Sequence, residues 1–289
     1  MKGNDMSKSI DTLIEDIYTK VDEGFDVDEK YLTSLLDDIE SSVLRQMEPD
    51  KRQNKNTLRM SNIGKDECEL WHEVNGTEGE KLHPQTRLKF LFGDFVEALL
   101  LFLAKSAGHE VTHEQHQIKV NDIVGHMDCE IDGVPTDIKS TTSRGLKKFK
   151  EGTLAEDDPF GYMAQISGYT TAREKNEGAF FAMGKENAEL AVMKVPEMDI
   201  VNVEVRIDHL KKVVSSDTPP ERCHNPVPDG KSGNMKLGVK CSYCSFKEPC
   251  WSDTNDGKGL RKFIYSNGPR WLTTVEREPD VYEVTKEVK

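Results

Sequence analysis

Apolar positions near the N-terminus recur at helical spacing: Ile10, Leu13, Ile14 and Ile17, then Leu32, Leu35, Leu36, Ile39, Val43 and Leu44. They predict two amphipathic helices separated near Gly24-Phe25. The polar run "PDKRQNKN" after Met47 reads as a linker. "TRLKFLFGDFVEALLLFLAK", Thr86 to Lys105, predicts a long buried helix. Strands are predicted over about 109–120, 123–131 and 134–140, followed by a basic loop and a helix from Pro159 to Lys175. "GAFFAMG" and "ELAVMKV" predict a strand pair turning at Lys185-Glu186-Asn187, and a helix follows from about Met198 to Val214. Beyond it, Pro219-Pro220, Pro226 and Pro228 predict an irregular segment centred on cysteines. This order predicts an α/β (α+β) fold with a mixed central sheet flanked by helices.

Within the strands, "GHMDCEIDGVPTDIKSTT" holds the first candidate chemistry. Asp132-Gly133 is a strong signal for a two-residue hairpin turn. Counting outward pairs Ile131 with Val134, Glu130 with Pro135, Cys129 with Thr136 and Asp128 with Asp137. Side-chain alternation puts Lys139 on the face of Asp137, with His126 opposite. Like charges directly across a ladder repel. A Mg²⁺ or Mn²⁺ ion bound by both aspartates would remove that repulsion. The plainer alternative is a surface hairpin of ordinary acids and a solvated lysine. Glu97 stands in an otherwise apolar helix, where an acid is expensive to bury unless it is paired or bound to metal. Otherwise it lies on an exposed stripe beside Asp94. Tyr162, Gln165 and Tyr169 fall at i, i+3 and i+7 and line one helix face.

The net charge of −13 argues against a polyanionic partner. Its distribution weakens that objection, because Lys139, Arg144, Lys147, Lys148 and Lys150 form an acid-free basic strip. The longest apolar run, Ala98 to Ala104, is far short of the roughly 20 residues that span a bilayer. The N-terminus lacks a secretory apolar stretch, so an intracellular, cytoplasmic protein is expected. In that compartment six cysteines point to metal binding or to no special role rather than to disulfides.

The motifs "GDFVE" (Gly93 to Glu97), "GHMD" (Gly125 to Asp128), "DIK" (Asp137 to Lys139) and "QISGY" (Gln165 to Tyr169) resemble those of PD-(D/E)XK nucleases, in particular the RecB/Cas4-like branch. The resemblance runs from about Ser61 to Trp251 and implies a restriction-endonuclease-like core. It also implies that Asp128 and Asp137 ligate Mg²⁺ or Mn²⁺, joined by the Ile138 carbonyl, and that Lys139 is the catalytic lysine. Gln165 and Tyr169 would contact DNA near the scissile phosphate. Glu97 stands where this branch commonly has histidine, as a further oxygen ligand. Tyr162, Arg144, Lys147, Lys148 and Lys150 would hold the DNA.

Cys241, Cys244 and Cys250 are spaced C-x2-C-x5-C, and a four-coordinate site needs one more ligand. Cys129 should face the core, leaving Cys68 and Cys223. Iron–sulfur members of the same branch place one cysteine before the nuclease core and three after it, which implies Cys68. Four thiolates suit a [4Fe–4S] cluster or Zn²⁺, and the resemblance implies the cluster. The expected organisation is a helical segment 1–55, a nuclease core 56–216 and a cysteine-rich segment 217–289 stapled to the core through Cys68. The expected function is a metal-dependent DNA exonuclease acting on single strands or duplex ends in replication, repair or recombination. Residues 1–50 are available to a protein partner. The alternatives are an inactive DNA-binding or recombination-partner protein that keeps the fold, and a zinc-stapled interaction protein.

Overall fold

The computed structural model describes residues 8–48 and 56–284. Most of the expected linker after Met47 lies outside them. The chain divides into two compact units. The first contains the described N-terminal residues, Leu58–Gly64 and His83–His209; the second contains Lys65–Leu82 and the residues from Leu210 onward. Residues 65–82 therefore group with the C-terminal segment, whereas the expected core ran from 56 to 216.

The first unit is built on a mixed sheet. Its strands are β1 (Val111–Thr112), β4 (Cys129–Ile131), β5 (Val134–Thr141), β6 (Gly178–Gly184) and β7 (Leu190–Val195), and they lie side by side in that order. Only β5–β6 is parallel. Phe180, Phe181 and Ala182 of β6 are fully buried, as expected of a central strand covered on both faces. On one face, Ile10 joins Leu13 and Ile17 of α1 (Leu13–Glu23) and Val96, Leu100 and Ala104 of α3 (Pro84–Ser106) against Ile138 and Phe181. On the other, Phe180 meets Phe149 of α4 (Ser143–Glu151) and Tyr162 of α5 (Tyr162–Ala172), with ring centroids 5.5 and 6.4 Å apart.

Asp132 and Gly133 both have positive φ, 50° and 80°, as the predicted tight turn requires. The register Ile131↔Val134, Glu130↔Pro135 and Cys129↔Thr136 is the expected one. The expected strand 123–131, however, is broken at Asp128. Strand β3 (Ile123–Met127) leaves the main sheet to pair with β2 (His116–Val120) in a separate ribbon. Asp128 and Asp137 are therefore not ladder partners. His126, exposed and paired with Gln117, does not stand opposite Lys139.

Two further expectations change. The "basic loop" is largely helix α4. The Thr142 hydroxyl accepts from Gly145 N at 3.2 Å, and Leu146 and Phe149 are its buried stripe. In α2 (Glu29–Met47) the buried side chains are Ser42 and Gln46, while Leu32, Leu36, Val43, Leu44 and Met47 face solvent. Polar contacts hold α2 to α3: Gln46 Nε2 donates to Asp94 Oδ2 at 2.9 Å, and Arg45 pairs with the same oxygen at 3.0 Å.

The second unit, expected to be irregular, contains a five-stranded sheet. It is ordered Glu283–Val284, Arg261–Tyr265, Gly268–Thr274, Met235–Lys236 and Val227–Pro228. One buried cluster joins Leu237, Trp251 and Leu260, with Cys241, Cys250 and Trp271 packed against it, and Leu70, Phe263 and Leu272 are buried as well.

Candidate active site and cysteine centre

Strand β5 carries Asp137 into the protein, where the side chain is fully buried. Lys139 Nζ lies 2.6 Å from Asp137 Oδ2. Oδ1, the other carboxylate oxygen, is buried with no hydrogen-bond partner among the described residues. An unsatisfied buried carboxylate is costly. Burial accordingly raises the Asp137 pKa, with Lys139 opposing. Burial alone would lower the pKa of Lys139, but Asp137 and Asp128 reverse this and hold it protonated. Its ammonium also sits 4.6 Å from the centre of the Tyr162 ring.

Asp128 occupies the break between β3 and β4, which frees its carboxylate to accept from Ile138 N at 2.8 Å. Burial, then Asp137 and Glu97, push its pKa well up. The Ile138 side chain packs in the core, so any ligand from this residue would be its carbonyl. Glu97 is half-buried on α3, as Asp94 is, and accepts from Gln115 Nε2 at 2.6 Å. Burial, Asp94 and Asp137 push its pKa up to about 7. The three acids feel one another electrostatically, yet their ligand atoms do not all come within 4.8 Å.

Tyr169 is only 1% exposed. Its hydroxyl accepts from Gln165 Nε2 at 2.6 Å and donates to His126 O at 3.0 Å. It is therefore a buried anchor for the half-buried Gln165 and is itself closed to direct contact with a ligand. In the basic strip, Lys148 pairs with Asp157 at 2.5 Å, Lys147 with Glu151 at 3.6 Å, and Lys150 with Glu189. Sequence reasoning missed Asp158. Its Oδ2 accepts from Met163 N at 2.8 Å at the start of α5, while its Oδ1 is buried without a partner and adds negative field at Asp137. An aspartate ahead of a helix start was the available signal.

The cysteine centre lies in the second unit. Cys68 and His72 sit one turn apart on the helix Glu67–Val74. The Cys68 and Cys250 sulfurs are 3.5 Å apart. A ring nitrogen of His72 joins them, the three ligand atoms lying within 4.8 Å of one another. His72 Nδ1 bonds Thr77 Oγ1 at 3.0 Å, and Nε2 is buried without a partner. The contact with Cys68, then Arg222, lowers Cys250 to about 7, giving it thiolate character. Burial raises Cys241 and Cys244 to about 11 and 12. Cys129 is buried in the other unit's core, as expected, and Cys223 is exposed. His72 was not foreseen; its four-residue spacing from Cys68 was the signal.

No family model and no curated protein sequence matches the chain. Solved structures resemble it at a distance. The crystal structure of SSO0001 is 15% identical with TM-score 0.40, over 74% of this chain and 92% of that one. The alkaline exonuclease LHK-Exo from Laribacter hongkongensis is 12% identical with TM-score 0.37, over 56% and 89%. Its complex with dAMP gives 10% and 0.35, over 56% and 91%. These scores are too low to carry an argument about this chain. No helix among the described residues is long and apolar enough to cross a membrane.

Proposed function

We propose that the first unit is a divalent-metal-dependent deoxyribonuclease of the PD-(D/E)XK type, RecB/Cas4-like branch. In this reading it acts as an exonuclease on single strands or duplex ends in intracellular replication, repair or recombination. The observation that carries the reading is Asp137: a fully buried carboxylate paired through Oδ2 with Lys139, its Oδ1 without a hydrogen-bond partner among the described residues. A hard cation suits such oxygens, and Asp128 and Glu97 are the further donors that would hold Mg²⁺ or Mn²⁺. When bound, the ion supplies Lewis-acid polarisation of a phosphoryl oxygen and a water acidified toward neutral pH. Lys139 stabilises negative charge developing on the phosphate. Gln165, anchored by Tyr169, orients the strand, and Arg144 and the lysines of α4 neutralise its backbone. The test is cleavage of end-labelled single-stranded DNA with Mg²⁺ or Mn²⁺. Cleavage that is lost in Lys139→Ala is expected; inactivity with both metals, or equal cleavage by the variant, overturns the reading.

For the second unit the sequence reading is a [4Fe–4S] cluster on Cys68, Cys241, Cys244 and Cys250. A single Zn²⁺ is the second reading, favoured by the Cys68–His72–Cys250 grouping. Zn–S bonds of 2.3 Å in a tetrahedron put sulfurs about 3.8 Å apart, near the 3.5 Å between Cys68 and Cys250. Iron, sulfide and zinc analysis of anaerobically purified protein separates the two. Under the zinc reading His72→Ala loses metal, and under the cluster reading it does not. The solvent-facing apolar residues of α2 support a protein partner for the N-terminal helices.

A further inference from the structure

The turn Asp158–Tyr162 presents an exposed aromatic ring beside the carboxylates. Phe160 is 66% exposed, and its ring stacks on Tyr162 with centroids 5.3 Å apart and planes 29° apart. Tyr162 carries Lys139 Nζ 4.6 Å from its ring centre, and that ammonium touches Asp137 at 2.6 Å. An unbroken line of contacts thus leads from solvent to the proposed reacting centre.

The turn holds this ring outward. Asp158 caps Met163 N at 2.8 Å, and Lys148 Nζ donates to the Asp157 carbonyl at 2.7 Å. Gly161 has φ +74°, and a Cβ there would lie 2.3 Å from the Gly64 backbone, so the two glycines pack main chain to main chain. Pro159 restricts the residue before it as well as itself. These contacts fix the backbone of the turn, and the ring contact of Phe160 among the described residues is with Tyr162.

The geometry points to Phe160 as a stacking platform for an unpaired nucleobase, next to the phosphate that Lys139 would hold. The ligand is the flat face of any base. A phenyl ring stacks on every base without reading its edges, and only an unstacked base frees a face to receive it. A duplex would therefore have to fray at its end before the platform could be used. This inference rests on the nuclease reading above and adds the preference for a single-stranded terminus.

Binding of labelled single-stranded oligonucleotides, measured by fluorescence anisotropy in an Asp137→Asn background, tests it without cleavage. Phe160→Ala is expected to weaken binding about tenfold, while Phe160→Trp keeps affinity and its indole emission is quenched by the strand. Scanning an abasic position along the oligonucleotide should find one site that costs the Phe160 protein about tenfold and the Phe160→Ala protein nothing. Equal affinity of the Phe160 and Phe160→Ala proteins, or abasic losses that are the same in both, overturns the platform. If the Phe160 protein binds no DNA at all, the nuclease reading falls with it. If it binds and the parent cleaves while Phe160→Ala is unaffected, only the platform falls. Unchanged thermal melting of Phe160→Ala shows that a measured loss is not misfolding.

Discussion

The carboxylate site and the cysteine centre solve opposite problems. Around Asp137 a large core from α1, α3 and the sheet fixes β5, and burial holds the acids at raised pKa values. Around Cys250 the scaffold is slight. Leu237, Trp251 and Leu260 form the buried apolar cluster packed against it, and short helices carry the sulfurs. One site sets acids against a large apolar core; the other has a smaller apolar cluster packed beside it. Under the proposed function, a cation bound at the first would relieve repulsion, whereas metal bound at the second would add to its core.

The largest expected effect breaks this comparison directly. Stripping metal from the cysteines, for which binding is worth about 10 kcal/mol or more at structural sites, should abolish protection of residues 210–284 in limited proteolysis. Residues 83–209 should stay protected. Removing Mg²⁺ or Mn²⁺ alone should leave both protected; digestion of the first unit on that treatment would show that its scaffold does depend on the ion.

Next in size is chemistry. Lys139→Ala should lower kcat by about 10²–10³-fold, the range for loss of one group that stabilises transition-state charge. Asp137→Asn should abolish cleavage while single-stranded DNA binds as well or better, since a buried negative charge is gone. Loss of binding together with cleavage would assign Asp137 to the fold.

A smaller effect appears in pH dependence without Mg²⁺ or Mn²⁺. Glu97 rises from an ordinary 4.5 to about 7, so folding takes up a proton. Such a group removes stability as pH climbs from its unfolded value to its folded one, and nothing further above it. Melting temperature should therefore fall by a few degrees between about pH 4.5 and 7. Glu97→Gln should flatten part of that fall, and added Mn²⁺ should raise melting more at pH 7.5 than at pH 5. An identical slope in the variant would remove Glu97 from the cluster. Smallest of all, Lys147→Ala breaks an exposed pair and should change stability by less than about 1 kcal/mol, with a modest loss of DNA affinity at low salt.

Much of the first unit was legible because its signals are local. Asp132-Gly133 dictates a turn whose positive φ values few other residues accept, and the three ladder pairs follow by counting. The step out of the ladder at Asp128 was not legible, since it depends on β3 finding β2 and leaving β4. Helix α4 was hidden because just two residues, Leu146 and Phe149, mark its buried face among many charges. The sheet of the second unit escaped for a related reason. Strands such as Arg261–Tyr265 lack polar–apolar alternation, two basic residues preceding Phe263, Ile264 and Tyr265, and prolines and glycines upstream suggested irregular structure. His72 was overlooked because attention to thiol spacing ignores the helix face that sets which neighbours a cysteine meets.

The parallel pairing of β5 with β6 has a kinetic consequence. The hairpin that brings Asp128 near Asp137 closes across two residues, but Asp137 is also registered with Phe180 through a crossover containing α4 and α5. Short-range closure is fast, and long-range parallel closure must wait for its entropy to be repaid. During folding Asp137 is therefore first a wet, ordinary acid on a nascent hairpin. Its enclosure, and with it any strong demand for a counter-ion, is among the last events on the way to the native state.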